Sequence, residues 1–246
     1  MARKFIVAST DIIKLSDLDF KIIGSEVHHI QVLRHKVGDV IIINNTNFEI
    51  VSIKKKDITV KKLGEIVDNI SRNCNVTLFQ SFLKSDKMEI VVQKAVEIGS
   101  KNIVPFFSSN TVVKLDNKTK IKRKEKLEII ALEAIKQCGR TDDVVINDFL
   151  LFNDVVEKVK GYDLCIFAYE NETVNIKQVI QNIKNTKRIY NNIAIIIGPE
   201  GGFTSNEVSI LKNIDNVHTV SLGDIILKAE TAGIYVQSIV MYEFEK

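Results

Sequence analysis

The chain has little proline and cysteine and no long apolar run. Only 2 of its 246 residues are prolines, and its 3 cysteines are Cys74, Cys138 and Cys165. These thiols are too far apart for metal-ligand or redox-pair spacing, so we expect inert thiols, no bound metal and a reducing, cytoplasmic compartment. No apolar stretch approaches the roughly 20 residues of a membrane span, and the apolar start is too short for a signal peptide. The sequence therefore predicts an intracellular protein without a membrane partner.

Charge is distributed unevenly along the chain, although the net charge is only +3. Residues 1–140 contain 25 Lys and Arg against 16 Asp and Glu, a balance of +9. Residues 141–246 contain the other 9 against 15, a balance of −6, and the two parts add to +3. A basic front half favours contact with a polyanion, whereas an ordinary solvated surface is the alternative that charge alone leaves open.

The pattern of apolar residues changes near residues 70–75. Before this point, short β-like runs separated by turn residues predict a small barrel or sandwich over residues 1–72, with polar residues 68–73 as the linker. After it, strands alternate with helices, of which the first opens with Asp86 and Glu89 at capping-box spacing. Residues 73–246 therefore predict an α/β domain with a parallel, doubly wound sheet. Its expected strands are 76–82, 103–107, 144–146, 164–168, 193–197 and 217–222.

Two loops near the end of the chain have the composition of a ligand site. The first follows the strand at 193–197 and reads Gly-Pro-Glu-Gly-Gly at 198–202, with a capping box of Thr204 and Glu207 directly after it. The second contains Leu222 and Gly223 and precedes a predicted helix near residue 229. Ligands in open α/β sheets bind beyond the carboxyl ends of the strands. The sequence has neither the P-loop pattern Gly-x-x-x-x-Gly-Lys-Ser/Thr nor the dinucleotide pattern Gly-x-Gly-x-x-Gly. Glu200 would also repel a phosphate at this helix start, so a ligand with a positive or neutral group suits these loops better.

Several blocks of the chain, at 29–34 with 38–39, 87–99, 103–105, 137–140, 198–202, 222–223 and 226–232, together resemble the SPOUT methyltransferase superfamily. Within it, the chain is most similar to the RsmE-type enzymes, which methylate N3 of a uridine in 16S ribosomal RNA, and the similarity extends over nearly the whole sequence.

The resemblance implies a fold, a cofactor and partners. The fold would be a trefoil-knotted α/β domain with a parallel sheet, preceded by a small β-rich PUA-like barrel that binds RNA. The protein would be a cytoplasmic homodimer, and its partner would be 16S ribosomal RNA or the small ribosomal subunit. S-adenosyl-L-methionine would bind at Ala168, Tyr169, Gly198, Pro199, Glu200, Gly201, Gly202, Leu222, Gly223, Ile226 and Leu227.

Methylation of uridine N3 requires a proton acceptor and stabilisation of negative charge on the uracil oxygens. Glu200 and Glu230 are the candidate bases, and each has the alternative role of a helix-start residue that only fixes its loop. Arg140 and Lys228 are the candidate electrostatic partners. The expected RNA-binding residues are Arg34, Lys36, Lys114 and Arg140.

The chain departs from the family pattern at three positions. Asn110 and Ile225 stand where the family commonly has arginines, and Lys228 keeps the charge of a third arginine without its planar fork. Two alternatives therefore stay open beside uridine-N3 methylation. One is a SPOUT methyltransferase that acts on another RNA position, and the other is a noncatalytic RNA-binding relative.

Overall fold

The computed structural model describes residues 3–7, 9–44, 46–65, 74–84, 86–140 and 142–245. The chain divides into two compact units, of which the first groups Met1–Ser71 with Lys136–Thr141 and the second groups Arg72–Ile135 with Asp142–Lys246. The predicted linker, residues 68–73, lies outside the described residues, and the domain boundary between 72 and 73 stays a prediction.

The described part of the first unit contains a six-stranded sheet, one α-helix and a short 3₁₀ helix at Ser9–Asp11. Its elements are β1 (Lys4–Phe5), β2 (Ile12–Lys14), β3 (Asp19–Ile22), α1 (Ser25–Val32), β4 (Val40–Ile43), β5 (Thr46–Ile53) and β6 (Ile58–Glu65). The strand order is β1-β4-β5-β6-β3-β2, and only the β1–β4 pair is parallel. Alternate residues such as Ile41 and Ile43 point into one core, where Ile30 from α1 is also fully buried.

The second unit is an α/β structure that confirms the predicted parallel sheet. Every strand pairing within it is parallel, in the order β10-β8-β7-β12-β11-β13 with β9 beside β8. Its strands are β7 (Asn75–Ser81), β8 (Asn102–Phe107), β9 (Val145–Ile146), β10 (Leu150–Leu151), β11 (Leu164–Ala168), β12 (Asn192–Ile197) and β13 (Val217–Val220). Its helices are α2 (Lys87–Ile98), α3 (Asn117–Cys138), α4 (Phe152–Val159), α5 (Ile176–Asn185), α6 (Ser205–Lys212) and α7 (Ala229–Phe244), and the last residues of α3 group with the first unit.

Helices cover both faces of this sheet, which explains why its central strand β12 is apolar from Ile193 to Ile197. In β12, Ile193, Ile195 and Ile197 belong to one buried cluster, whereas Ala194 and Ile196 belong to another. The first cluster contains buried residues of α2, α3, α5 and α7, and the second contains residues of α4 and α6. A strand that is buried on both sides has no polar face, so its sequence shows a continuous run and not an alternation.

Some local predictions need correction. Asp86 precedes α2 but makes no side-chain capping bond, and Glu89 instead pairs with Lys126 and Arg123 of α3. Helix α1 was not predicted, because an eight-residue helix gives only a short periodic signal. The last strand ends at Val220 and not at residue 222, so Ser221 and Leu222 belong to the following loop.

Candidate functional site

A pocket of about 570 Å³ lies beyond the carboxyl ends of β11, β12 and β13. Parallel strands end at the same edge of a sheet, so the loops that follow them meet there. The walls come from residues 168–170, 197–203, 221–223 and 225–229, together with Lys87 and Ala232. Three loops, separated by up to 60 residues in the sequence, therefore form one continuous cavity.

The glycine loop, residues 198–202 after β12, is held in place by Asn110. Gly202 has a φ of 70°, which residues other than glycine rarely adopt. Its N–H donates to the Pro199 carbonyl at 3.0 Å. The Asn110 amide donates to the carbonyls of Gly201 and Gly202 at 3.3 and 3.1 Å. A Cβ on Gly201 would lie 3.1 Å from the Asn110 carbonyl oxygen. The backbone of this loop is therefore fixed at the pocket wall.

The predicted capping box at the start of α6 is formed. Glu207 Oε2 accepts hydrogen bonds from the N–H and hydroxyl of Thr204, both at 2.9 Å, and Thr204 Oγ1 accepts from the Glu207 N–H at 3.3 Å. The other carboxylate oxygen, Oε1, accepts from the N–H and hydroxyl of Ser109 at 2.9 and 3.0 Å. Buried Glu207 thus connects the end of the glycine loop to the loop that carries Asn110.

Two carboxylates share one ammonium group at the pocket. Lys87 Nζ is 3.3 Å from Glu200 Oε1 and 3.7 Å from Glu230 Oε2. Glu230 Oε2 is buried and makes no hydrogen bond to any residue in the described part of the chain. Burial would raise the pKa of Glu200, but hydrogen bonds from its own backbone N–H, the Lys84 N–H and the Lys87 ammonium hold that pKa below its ordinary value. The cluster of Lys87, Glu200 and Glu230 therefore carries an available acceptor beside a fixed cation.

The loop after β13 supplies an apolar rim. Gly223 has a φ of 121°, and the side chains of Ile225 and Ile226 are each 79% exposed. Exposed apolar residues beside a cavity are typical of surfaces that bind a ligand or a partner. Lys228 is exposed at the N-cap of α7, where its carbonyl accepts from the Ala232 N–H at 2.8 Å.

Comparison with known proteins assigns the family. A model of the RNA methyltransferase domain matches residues 71–241. The chain is 32% identical over 233 residues to ribosomal RNA small subunit methyltransferase E of Bacillus subtilis (strain 168), which is 92% of this chain and 91% of that protein. The chain belongs to the ribosomal RNA small subunit methyltransferase E family. The protein of the same name from Mesomycoplasma hyopneumoniae (strain 232) is 31% identical over 211 residues, 85% of this chain and 88% of that protein.

Solved structures of similar fold include a relative with a bound methyl donor. The ribosomal RNA small subunit methyltransferase E from Neisseria gonorrhoeae, solved bound to S-adenosyl methionine, has a TM-score of 0.82 at 22% identity and covers 100% of this chain and 99% of its own. A crystal structure described as that of a hypothetical protein has a TM-score of 0.79 at 30% identity, with 98% of each chain covered. Both comparisons show that the fold extends over the whole chain.

The structure brings the predicted cofactor-binding residues of this methyltransferase family member together. All eleven of them, from Ala168 to Leu227, line the pocket. Of the predicted catalytic residues, Glu200 and Lys228 line the pocket. Glu230 does not line it but forms an ion pair with Lys87, which does. Arg140 does not line the pocket and is buried in the first unit. Its catalytic role, like every role assigned to these residues, stays a prediction.

The predicted RNA-binding residues are at the surface, except for Arg140. Arg34 and Lys36 are exposed in the first unit, where Arg34 has a φ of 59°. Lys114 is exposed in the second unit, just before α3. Exposed basic side chains of this kind can contact the phosphates of a nucleic acid.

Sequence reasoning missed two polar residues of the site. Lys87 was assigned only to a family block, although a basic residue in the first turn of a helix opposes the helix dipole and so indicates another partner. Gln80 is fully buried near the end of β7, its Nε2 lies 3.5 Å from the Gly198 carbonyl, and its Oε1 has no hydrogen-bond partner among the described residues. Gly233 of α7 approaches the same oxygen, since a Cβ there would lie 3.0 Å from it.

The described residues offer neither a metal site nor a membrane-spanning helix. They contain no group of three or more His, Cys, Asp and Glu side chains arranged to hold a metal ion. None of their helices combines the length and the apolar composition that crossing a membrane requires.

Proposed function

We propose that this protein transfers a methyl group from S-adenosyl-L-methionine to N3 of a uridine in the 16S RNA of the small ribosomal subunit. The observation that carries this proposal is the pocket beyond β11, β12 and β13, in a chain that belongs to the small subunit methyltransferase E family. Such relatives are named for their action on ribosomal RNA, and the Neisseria gonorrhoeae protein holds the proposed methyl donor.

The residues of the pocket fit this methyl donor. A volume of about 570 Å³ lies within the range of small-molecule sites. Glycines at 198, 201, 202 and 223 leave backbone groups accessible, and Leu222, Ile226 and Leu227 offer apolar contacts for an adenine ring. Glu200 and Glu170 line the same space and complement positive charge on the sulfonium and ammonium groups.

The bound donor supplies a methyl group on a positively charged sulfur, and the protein must orient the uracil and accept its N3 proton. Glu230 Oε2 suits the acceptor role, because it is buried and has no hydrogen-bond partner among the described residues. Glu200, held by Lys84 and Lys87, suits an orienting role. Lys228 stands at the rim, where its ammonium can reach negative charge on the uracil oxygens.

The finer features of the fold belong to the same proposal. The segments after β12 and β13 form the proposed trefoil knot, and the first unit is the proposed PUA-like barrel for RNA. The proposed homodimer is supported by apolar side chains left exposed on α7 and α2, which are Tyr235, Tyr242 and Ile90. Arg140 is buried and does not line the pocket of its own chain, so its proposed catalytic role requires a site completed by a second copy.

One observation favours a second candidate, which is methylation of another RNA position. Ile225 lines the pocket and is 79% exposed, at a position where an arginine is common in the family. An isoleucine cannot donate hydrogen bonds to a uracil oxygen or a phosphate. Asn110 differs, because its amide is engaged by the carbonyls of Gly201 and Gly202.

Calorimetry tests the cofactor part of the proposal. We expect the full-length protein to bind both S-adenosyl-L-methionine and its demethylated product, with no comparable binding of ATP or NAD. Binding of ATP or NAD with similar affinity, or no binding of the methyl donor, would contradict the proposed use of this pocket.

A further inference from the structure

The start of α3 carries an unusual density of basic side chains. Seven Lys and Arg residues fall between 114 and 126, and the first turn of the helix has no acidic residue. Positive charge at the start of a helix opposes its dipole, so this arrangement is unfavourable for the helix itself. Asp116 precedes the helix and accepts the Thr119 N–H at 2.8 Å, which caps the helix but leaves the lysines beyond it unbalanced.

Four of these seven residues contact other parts of the second unit. Lys124 Nζ is 2.7 Å from Asp148 Oδ1, and Arg123 and Lys126 both pair with Glu89 of α2. Lys120 Nζ lies 5.1 Å from the centroid of the Phe107 ring, a cation–π distance. These four contacts explain how one side of the basic segment is attached to the sheet and to α2.

The other three, Lys114, Lys118 and Lys122, face solvent. Each is exposed, and none makes an ion pair or a side-chain hydrogen bond with a residue that the structure describes. Lys118 and Lys122 are four residues apart, so they lie on one side of the helix and about 6 Å apart along its axis. Like charges at this spacing repel, so the stability of the helix does not account for them.

This lysine face, defined as Lys114, Lys118 and Lys122, is connected to the pocket by a short segment. Asn110 bonds the glycine loop at the pocket wall, and Lys114 follows it by four residues. Four residues span at most about 14 Å between Cα atoms. The lysine face therefore starts close to the pocket and continues along α3.

We propose that the lysine face binds phosphate groups of the RNA strand that carries the target nucleotide. The proposal deepens the proposed function and rests on it, because it names where the substrate lies beside the same pocket. Lysine ammonium groups suit phosphates as point charges, and phosphate contacts position a nucleic acid without reading its sequence. Binding there would hold the strand while one nucleotide enters the pocket.

A salt titration of RNA binding tests this inference. The variant Lys118→Gln/Lys122→Gln removes two phosphate contacts, so the slope of log affinity against log salt should become less steep by about 1.4 to 1.8. The matched control is Lys158→Gln/Lys177→Gln, which removes two exposed lysines of α4 and α5 that make no ion pair among the described residues. The control should leave the slope nearly unchanged. The probe is small-subunit ribosomal RNA, and donor affinity by calorimetry should be unaffected in both variants.

Each outcome decides a different point. An unchanged slope in the α3 variant, or an equal change in the control, would overturn the proposed phosphate binding by the lysine face. If the wild-type protein still methylates RNA, the proposed function is unaffected by that result. Loss of binding to an acidic protein of the small subunit, with RNA binding unaltered, would also overturn it. A wild-type protein that neither binds RNA nor methylates it would instead refute the proposed function.

Discussion

The two ends of the parallel sheet in the second unit differ in how their polar groups are used. At the carboxyl end lies the pocket of about 570 Å³ with its glycine loops. At the amino end lies a depression of about 350 Å³ lined by Asn75, Thr77, Lys101, Asn102, Gly161, Tyr162 and Asn192. Both ends collect polar side chains, because strands begin and end where loops meet the solvent.

At the amino end the polar groups bond to one another. Asn75 Nδ2 donates to Asn192 Oδ1 at 3.4 Å, and Asn102 Nδ2 donates to Thr77 Oγ1 at 3.3 Å. Asp163 Oδ2 accepts the N–H groups of Asn191 and Asn192 at 2.9 and 2.8 Å. These contacts fix the starts of the strands, so this end serves stability.

At the carboxyl end some buried acceptors have no hydrogen bond, although Glu230 Oε2 keeps its ion pair with Lys87. Within the described part of the second unit, the buried side-chain atoms without a hydrogen bond are Gln80 Oε1 and Glu230 Oε2, and both are at this end. A buried acceptor without a donor costs about 1 to 3 kcal/mol. Within the described part of the second unit, buried acceptors without a hydrogen bond therefore lie at the end where a ligand or substrate can supply the donor.

Exchange of one carboxylate at each end should separate catalysis from folding. Glu230→Gln removes the proposed proton acceptor, so the single-turnover rate of methyl transfer should fall by about 10²- to 10⁴-fold while donor affinity changes little. Asp163→Ala should leave that rate intact but lower the free energy of unfolding by about 1.5 to 3 kcal/mol, because two N–H groups lose a charged acceptor. Rapid-quench kinetics and urea titrations measure the two effects. Equal rate losses in both variants would remove the distinction between the ends.

A pair of glycine substitutions sharpens the comparison for cofactor binding. Gly202→Val places a β-branched residue at a φ of 70°, with its Cβ 2.7 Å from Glu170 Oε1. The left-handed conformation alone costs about 1 to 2 kcal/mol, so donor affinity should fall by about tenfold or more. Gly161→Val at the amino end meets only an ordinary 3.5 Å contact with the Lys158 carbonyl and should leave affinity unchanged. Undiminished calorimetric affinity in Gly202→Val would count against the glycine loop as a binding wall.

A pair of lysine substitutions tests the ammonium group at each end. Lys87 and Lys101 are 34% and 35% exposed, and each is paired with a carboxylate. Lys87→Met should lower the single-turnover rate by about tenfold. Without the Lys87 ammonium, the proposed proton acceptor Glu230 loses its ion pair and is held less well in place. Lys101→Met should not alter the rate, and Lys87→Arg should restore most of it. A rate loss shared by both methionine variants would mean that Lys87 acts only through stability.

The same lysine predicts a pH dependence of stability. Lys87 helps to hold the pKa of Glu200 below its ordinary value of 4.5, so their pairing stabilises the folded state above that pH. The stabilisation is lost as the pH falls through the lowered pKa, because Glu200 is then protonated. The difference in unfolding free energy between wild type and Lys87→Met should therefore be constant at neutral pH and shrink in acid. A difference that grew in acid would contradict this pairing.

Features set by local sequence could be predicted, and features set by distant contacts could not. The continuous apolar run of β12 and the capping box of Thr204 and Glu207 depend on neighbouring residues, and both were predicted. The role of Lys87 depends on Glu200, which follows it by 113 residues, so no local pattern indicates their contact. Asp86 and Glu89 have capping-box spacing but form no capping box, because Glu89 forms ion pairs with Lys126 and Arg123 of α3. Tertiary ion pairs thus override a local signal.

We propose above all that the carboxyl-end pocket supports methylation of uridine N3 in small-subunit ribosomal RNA. Mass spectrometric mapping of that RNA, from cells that contain the protein and cells that lack it, tests this claim most directly. We predict one 3-methyluridine that is present with the wild-type protein and absent both without it and with Glu230→Gln alone. A methyl group on a ribose oxygen or a guanine, or an identical methylation map in all three samples, would contradict the claim.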